Sequence, residues 1–277
     1  MRLIIFILTF FLIGNLFAKQ QRIVSLAPSI TEMVYAAGAG KDLVGVSSNS
    51  DFPSAAKKLP VVATNASIDF ERLAELKPTV VFAWKGGNAP SEVASLKQEK
   101  IKVIWLNVSN PNDIVQALIK IGQVAGTKKV ALNFARHWYA RYEFIKREYQ
   151  NRSKVSVFYQ VSFNPLITLN HASWVTQMIQ DCGGKNIFAS AMTIAPVVSL
   201  SSLLSKQPEA IIITNPGKTF AQLAKPWYRW PQLQAVKKGN LFTIPSSLID
   251  RPGPRLLQGM TMLCKDLNKV RKGRRNS

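Results

Sequence analysis

Histidines and acidic side chains are scarce in this chain. Its 277 residues include two His and fifteen Asp and Glu, against thirty-six Lys and Arg. His137 and His171 lie in separate segments, and neither has neighbours at the spacing of a zinc site. Cys182 and Cys264 are the only cysteines and form no close-spaced pair, which removes redox and zinc motifs. Neither a GxGxxG nor a P-loop phosphate cradle is present. No nucleophilic triad can be assembled from this inventory, so the chemistry that remains is binding rather than catalysis. No catalytic residue, metal or resident cofactor is expected.

Long apolar runs are missing as well, with one exception. Leu3 to Phe17 is almost unbroken, follows Arg2, and ends at the small Ala18 before Lys19. It falls short of the roughly 20 residues of a spanning helix and matches a secretory signal peptide over residues 1–18; an uncleaved anchor is the alternative. With 47% hydrophobic and 18% charged residues the remainder is globular and long enough for two domains. In an exported chain Cys182 and Cys264 read as one disulfide closing a long loop, the alternative being two buried thiols. The net charge of +21 is spread along the whole chain, with a cationic tail from Lys269 to Arg275. No nucleic-acid motif accompanies it. The excess fits anionic membrane surfaces, or is a compositional habit of the source.

The stretch TKKVALNFARHWYARYEFIKREYQ, Thr127 to Gln150, has no Gly or Pro. Val130, Phe134, Trp138, Tyr142, Ile145 and Tyr149 recur at steps of four or three, which predicts one long helix with an apolar face. On either side, short strands and helices alternate, the pattern of parallel sheets with helical crossovers. RIVSL, LVGVS, VVFAW and Val103 to Leu106 are strands of the first half. Ser29 with Glu32 reads as a helix cap, and Asp69 to Leu76 as a capped helix stopped by Pro78. In the second half, Val155 to Gln160, Ala210 to Thr214 and Leu241 to Ile244 are strands, and Trp174 to Asp181 and Trp230 to Val236 helices. Thr31-Glu32-Met33 with Gly38 echoes Thr176-Gln177-Met178 with Gly183, and Leu76-Lys77-Pro78 echoes Lys206-Gln207-Pro208. The expected architecture is therefore α/β: two Rossmann-like lobes, 19–126 and 151–277, joined by one long backbone helix, 127–150. A ligand cleft would lie between them, at the carboxyl ends of the strands.

The segments RIVSLAPSITEMVYAAG, VGVSSNSDFP, LAELKPTVVFAWKGGNA, CGGKNIF and RPGPRLL, in that order, resemble the iron-siderophore and cobalamin class of periplasmic solute-binding proteins, and within it the cobalamin binders of ABC importers. The resemblance implies a periplasmic monomer that captures cobalamin or a related corrinoid. It would hand this cargo to a membrane permease driven by an ATPase, without chemistry of its own. A ferric siderophore or haem is the alternative cargo; a basic surface protein for nucleic acid or anionic lipid is the alternative from another class. By resemblance Trp84, beside Lys85, packs on the ligand and Arg251 sits at the cleft edge. As an alternative, Trp84 is a strand-end core residue and Arg251 joins a salt bridge within the second lobe. Asn49, Asn65, Val161 and Ala195 stand where the class has cleft aromatics, and Ser247 where it has an acid. Glu71 matches a permease-docking glutamate, whose counterpart on the second lobe falls on Ser201.

Overall fold

The computed structural model describes residues 21–64, 67–99 and 101–275. The leader expected at 1–18 and the candidate Asn65 lie outside the described residues. The first lobe runs β1 (Ile23–Ser25), α1 (Pro28–Ala36), β2 (Leu43–Ser47), β3 (Val61–Ala63), α2 (Phe70–Glu75), β4 (Val80–Trp84), α3 (Pro90–Gln98), β5 (Val103–Leu106) and α4 (Pro111–Ala125). Then comes α5 (Lys128–Tyr149). The second lobe runs β6 (Val155–Gln160), α6 (Trp174–Asp181), β7 (Gly184–Asn186), α7 (Leu200–Lys206), β8 (Ala210–Asn215), α8 (Phe220–Ala224), α9 (Gln234–Lys237), β9 (Leu241–Pro245), α10 (Ser246–Ile249) and α11 (Leu256–Arg275).

Each lobe holds its own parallel sheet, in the order β3-β2-β1-β4-β5 in the first and β7-β6-β8-β9 in the second. Helices cover both faces of the central strands, so Val80 to Ala83 and Ala210 to Ile213 are apolar and buried at every position. The two lobes repeat each other down to backbone detail. α1 and α6 both end at a left-handed glycine, Gly38 and Gly183. Lys77 and Gln207 both take the left-handed conformation, uncommon for non-glycine residues, just before Pro78 and Pro208. The N-caps Asp69 of α2 and Ser199 of α7 precede them at the same spacing, each accepting from the backbone N–H three residues on.

Three local expectations are corrected. Helix α1 begins at Pro28, with Ala27 as its N-cap and no side-chain cap. Proline's fixed φ favours that first helical position, and Ser29 and Glu32 are freed for other contacts. The second-half helix expected over Trp230 to Val236 is confined to Gln234–Lys237, because Pro231 pushes Trp230 out of the helical region. On α5, the buried face is Ala131, Ala135, Trp138, Tyr142 and Ile145, whereas Val130 is 52% exposed. The reason is close packing: α4 folds back antiparallel to α5 across left-handed Gly126. A Cβ on Gly122 of α4 would lie 2.3 Å from that of Ala131, so only small side chains fit there.

α5 is thus one member of a helical layer shared by both lobes. Trp138 Nε1 donates to the Pro254 carbonyl and Tyr142 Oη to Asp181. One apolar core runs from Ile23, Val80 and Phe82 of the first sheet through α4 and α5. It ends among Val157, Ile212 and Leu267 of the second lobe.

The cationic tail is the end of α11, whose Leu256, Met260, Leu263, Leu267 and Val270 are buried. Arg271 donates to the carbonyls of Ser153, Cys182 and Gly183 at the end of α6. Arg274 pairs with Glu209 at 2.6 Å. Cys264 of α11 is bonded to Cys182 at the end of α6, a separation of 82 residues. For a loop of that length the chain-entropy account gives about 4 kcal/mol, so reduction is expected to lower Tm by on the order of 10 °C. Calorimetry with and without reductant, with the thiols titrated, checks this. An unchanged Tm for the fully reduced chain would contradict it.

Candidate functional site

The carboxyl ends of both sheets face a common cleft. Trp84 is the last residue of β4, held there by Asn88, whose side chain accepts from Trp84 N at 2.8 Å and donates to the Leu26 carbonyl at 3.0 Å. The chain then curls against the indole, and a Cβ on Gly87 would fall 2.4 Å from the ring and one on Gly86 2.9 Å. Glycines at both positions are what allow this turn. From the opposite lobe Trp174, in the first turn of α6, meets Trp84 edge to face with centroids 6.1 Å apart, and its Nε1 donates to the Ile249 carbonyl. The two indoles close one end of a cavity of about 570 Å³, walled also by Val108, Val161, Leu169 and Ile194.

A second cavity of about 730 Å³ is polar, lined by Asn49, Asp51, Asn215, Ser246, Ser247 and Arg251. Asn49 reaches it because its backbone is left-handed, φ +62°, a conformation Asn tolerates better than most residues. Asp250 borders both cavities. Its carboxylate accepts from Tyr159 Oη at 2.6 Å and from the Thr214 hydroxyl. Burial pushes its pKa up, against the pull of those two hydrogen bonds.

At the polar end, four charges join the lobes. Arg255 donates two hydrogen bonds to Glu32 of α1, at 2.6 and 3.0 Å. Arg251 donates to Asp51 at 2.6 Å, and the Arg255 guanidinium lies 4.3 Å from the centre of the Phe52 ring. The Glu32 side chain is only 2% exposed. Burial raises its pKa, opposed by Arg255 and Arg251. At Asp51, burial works in the same direction but the Arg251 bond and charge prevail, and the pKa is lowered.

The structure therefore brings Trp84, Asn49, Ser247 and Arg251 to one cleft, with Val161 in its apolar part. The Arg251 ion pair crosses to the first lobe rather than staying within the second. Lys85 is exposed and lines a separate cavity with Pro90, Ala94, Lys97 and Trp105. Ala195 is exposed beside Ile194, and Glu71 and Ser201 are exposed at the second positions of α2 and α7. Sequence reasoning missed Trp174, Asp250 and the group of Glu32, Asp51 and Arg255. Trp174 was visible only as the residue after a capping serine; nothing in the sequence pairs it with Trp84. The charged group joins residues 223 apart and carries no local signal.

A family model described as periplasmic binding protein matches residues 23–248. The vitamin B12-binding protein of Vibrio vulnificus is 32% identical over 257 residues, 93% of each chain. The crystal structure of the periplasmic vitamin B12 binding protein BtuF of Vibrio cholerae superposes with a TM-score of 0.83 at 31% identity, covering 91% of this chain and 98% of that one. The periplasmic heme binding protein HutB of Vibrio cholerae shares the fold, with a TM-score of 0.77 at 20% identity over 90% of this chain and 99% of that one.

Truncating Arg255→Ala leaves Glu32 buried without its main partner and is expected to cost about 3 kcal/mol. Glu32→Gln combined with Arg255→Met is expected to recover a large part. Urea midpoints of the three proteins measure this, and an Arg255→Ala midpoint at the wild-type value would contradict it.

Proposed function

Because the chain belongs to the periplasmic binding protein family, we propose that it captures cobalamin or a closely related corrinoid and delivers it to an ABC importer. The observation that carries the choice of cargo is the chemistry of the apolar cavity. Among its described lining residues there is no His, Tyr, Cys, Met or Lys, the side chains that ligate a haem iron or neutralise an anionic chelate. The one arginine of the neighbouring polar cavity, Arg251, is already paired with Asp51. A neutral chelate whose metal is fully ligated by its own groups suits such a site. Its flat apolar face would lie against Trp84 and Trp174, and its amide-bearing arms would reach Asn49, Asn215, Ser246 and Ser247. Both cavities fall within the 300–1,000 Å³ range typical of ligand sites, and they adjoin at Asp250. A ferric siderophore or haem fits the cavity less well.

In this reading residues 1–18 direct export, the lobes 19–126 and 151–277 grip the cargo from both sides of the helix at 127–150, and the protein acts as a monomer without catalysing a reaction. Glu71 and Ser201 occupy equivalent places in the duplicated lobes, which supports their assignment to permease docking. Only the first carries a charge, so docking is asymmetric.

Equilibrium titration of the mature chain with cyanocobalamin, haemin and a ferric hydroxamate, at low and high salt, tests the cargo. Cyanocobalamin is expected to bind with little salt dependence. Trp84→Ala is expected to weaken it about thirtyfold, the loss of roughly 2 kcal/mol associated with a tryptophan hot spot. Tight binding of haemin with an axially ligated spectrum, and none of cyanocobalamin, would overturn the assignment.

A further inference from the structure

The long helix presents two aromatic-containing faces, and the core uses only one. Around the outward face of α5, Phe144 is 58% exposed and the Arg141 guanidinium lies 5.2 Å from its ring centre. Lys129, Arg136, His137, Ala140 and Arg147 are exposed on the same side, at the steps of three, four and seven that share a helix face. The helix carries two acids, both in ion pairs: Glu143 with Lys146, and Glu148, exposed on this same face beside Phe144 and Arg141, with Arg152. Among the described residues Lys129, Arg136, Arg141 and Arg147 have no ion pair. No residue of α5 lines either cleft cavity, so this face stays available whether or not the cleft is loaded.

We propose that the outward face of α5 is a docking surface for an anionic lipid bilayer, with the arginines on phosphate headgroups and Phe144 inserted among them. Charge complementarity selects the partner: the face is cationic within a chain of net charge +21, clustered Lys and Arg are what an anionic leaflet attracts, and the exposed Phe144 ring adds an apolar contact. A nucleic acid would use the charges but has no use for a single apolar ring without a stacking platform. The surface would hold an exported carrier close to the membrane where its permease resides. The inference rests on export and not on which cargo fills the cleft.

The test is sedimentation of the mature chain with vesicles of equal parts phosphatidylglycerol and phosphatidylcholine, with pure phosphatidylcholine as reference. Each cation near an anionic surface contributes about a fivefold factor, so Arg136→Gln, Arg141→Gln and Arg147→Gln together are expected to weaken binding on the order of a hundredfold. Phe144→Ala is expected to weaken it about tenfold. A control with the same net charge, Lys57→Gln, Lys58→Gln and Lys237→Gln, is expected to stay near wild type. Cyanocobalamin titration and Tm should be unchanged in all three, which separates failure of this surface from failure of the carrier reading or of folding. Equal loss in the control, equal binding to pure phosphatidylcholine, or binding to duplex DNA that needs the arginines but not Phe144, would each overturn the proposal.

Discussion

A carboxylate buried in one lobe stays charged only while a guanidinium from the other lobe lies against it. Glu32 is in that position, with Arg255 forming two hydrogen bonds to it from the start of α11. If the lobes swung apart, Glu32 would lose most of the interaction that offsets its burial, at a cost of several kcal/mol. Arg251 and Asp51 add a second cross-lobe pair, and the Phe52 ring covers Arg255. The relative placement of the lobes is therefore fixed at the polar end of the cleft by interactions that do not survive separation.

The helical layer acts in the same direction. Because α4, α5, α6 and α11 share one continuous apolar core with both sheets, bending about α5 would tear packed surface rather than flex a linker. The disulfide between α6 and α11 closes that layer. A cleft built this way is largely preformed, and its selectivity comes from what lines it: two indoles and aliphatic side chains at one end, amides and hydroxyls at the other.

Much of this was legible in the sequence, because it is written locally. The strands, the capped helix after Asp69 and the long helix each follow from short-range patterns, and the echoes around Pro78 and Pro208 announced the duplication. What escaped was of two kinds. The ion pairs of Glu32, Asp51, Arg251 and Arg255 depend on folding distant segments together, and Glu32 looked like part of a helix cap until Pro28 was seen to start the helix. The α11 helix was legible in principle, with apolar side chains from Leu256 to Val270 at steps of four and three. Its terminal cations masked that period, and the segment was read only as a cationic tail. Trp84 was found by resemblance; its partner Trp174 was read only as a helix residue, since pairing across the cleft has no signature in a single chain.

The rigidity of the two-lobed frame can be measured directly by small-angle X-ray scattering of the mature chain, free and saturated with its cargo. The account predicts profiles and radii of gyration that superimpose within error, because the cross-lobe charges and the shared core are already in place. A compaction like that of two domains closing about an open hinge would contradict it.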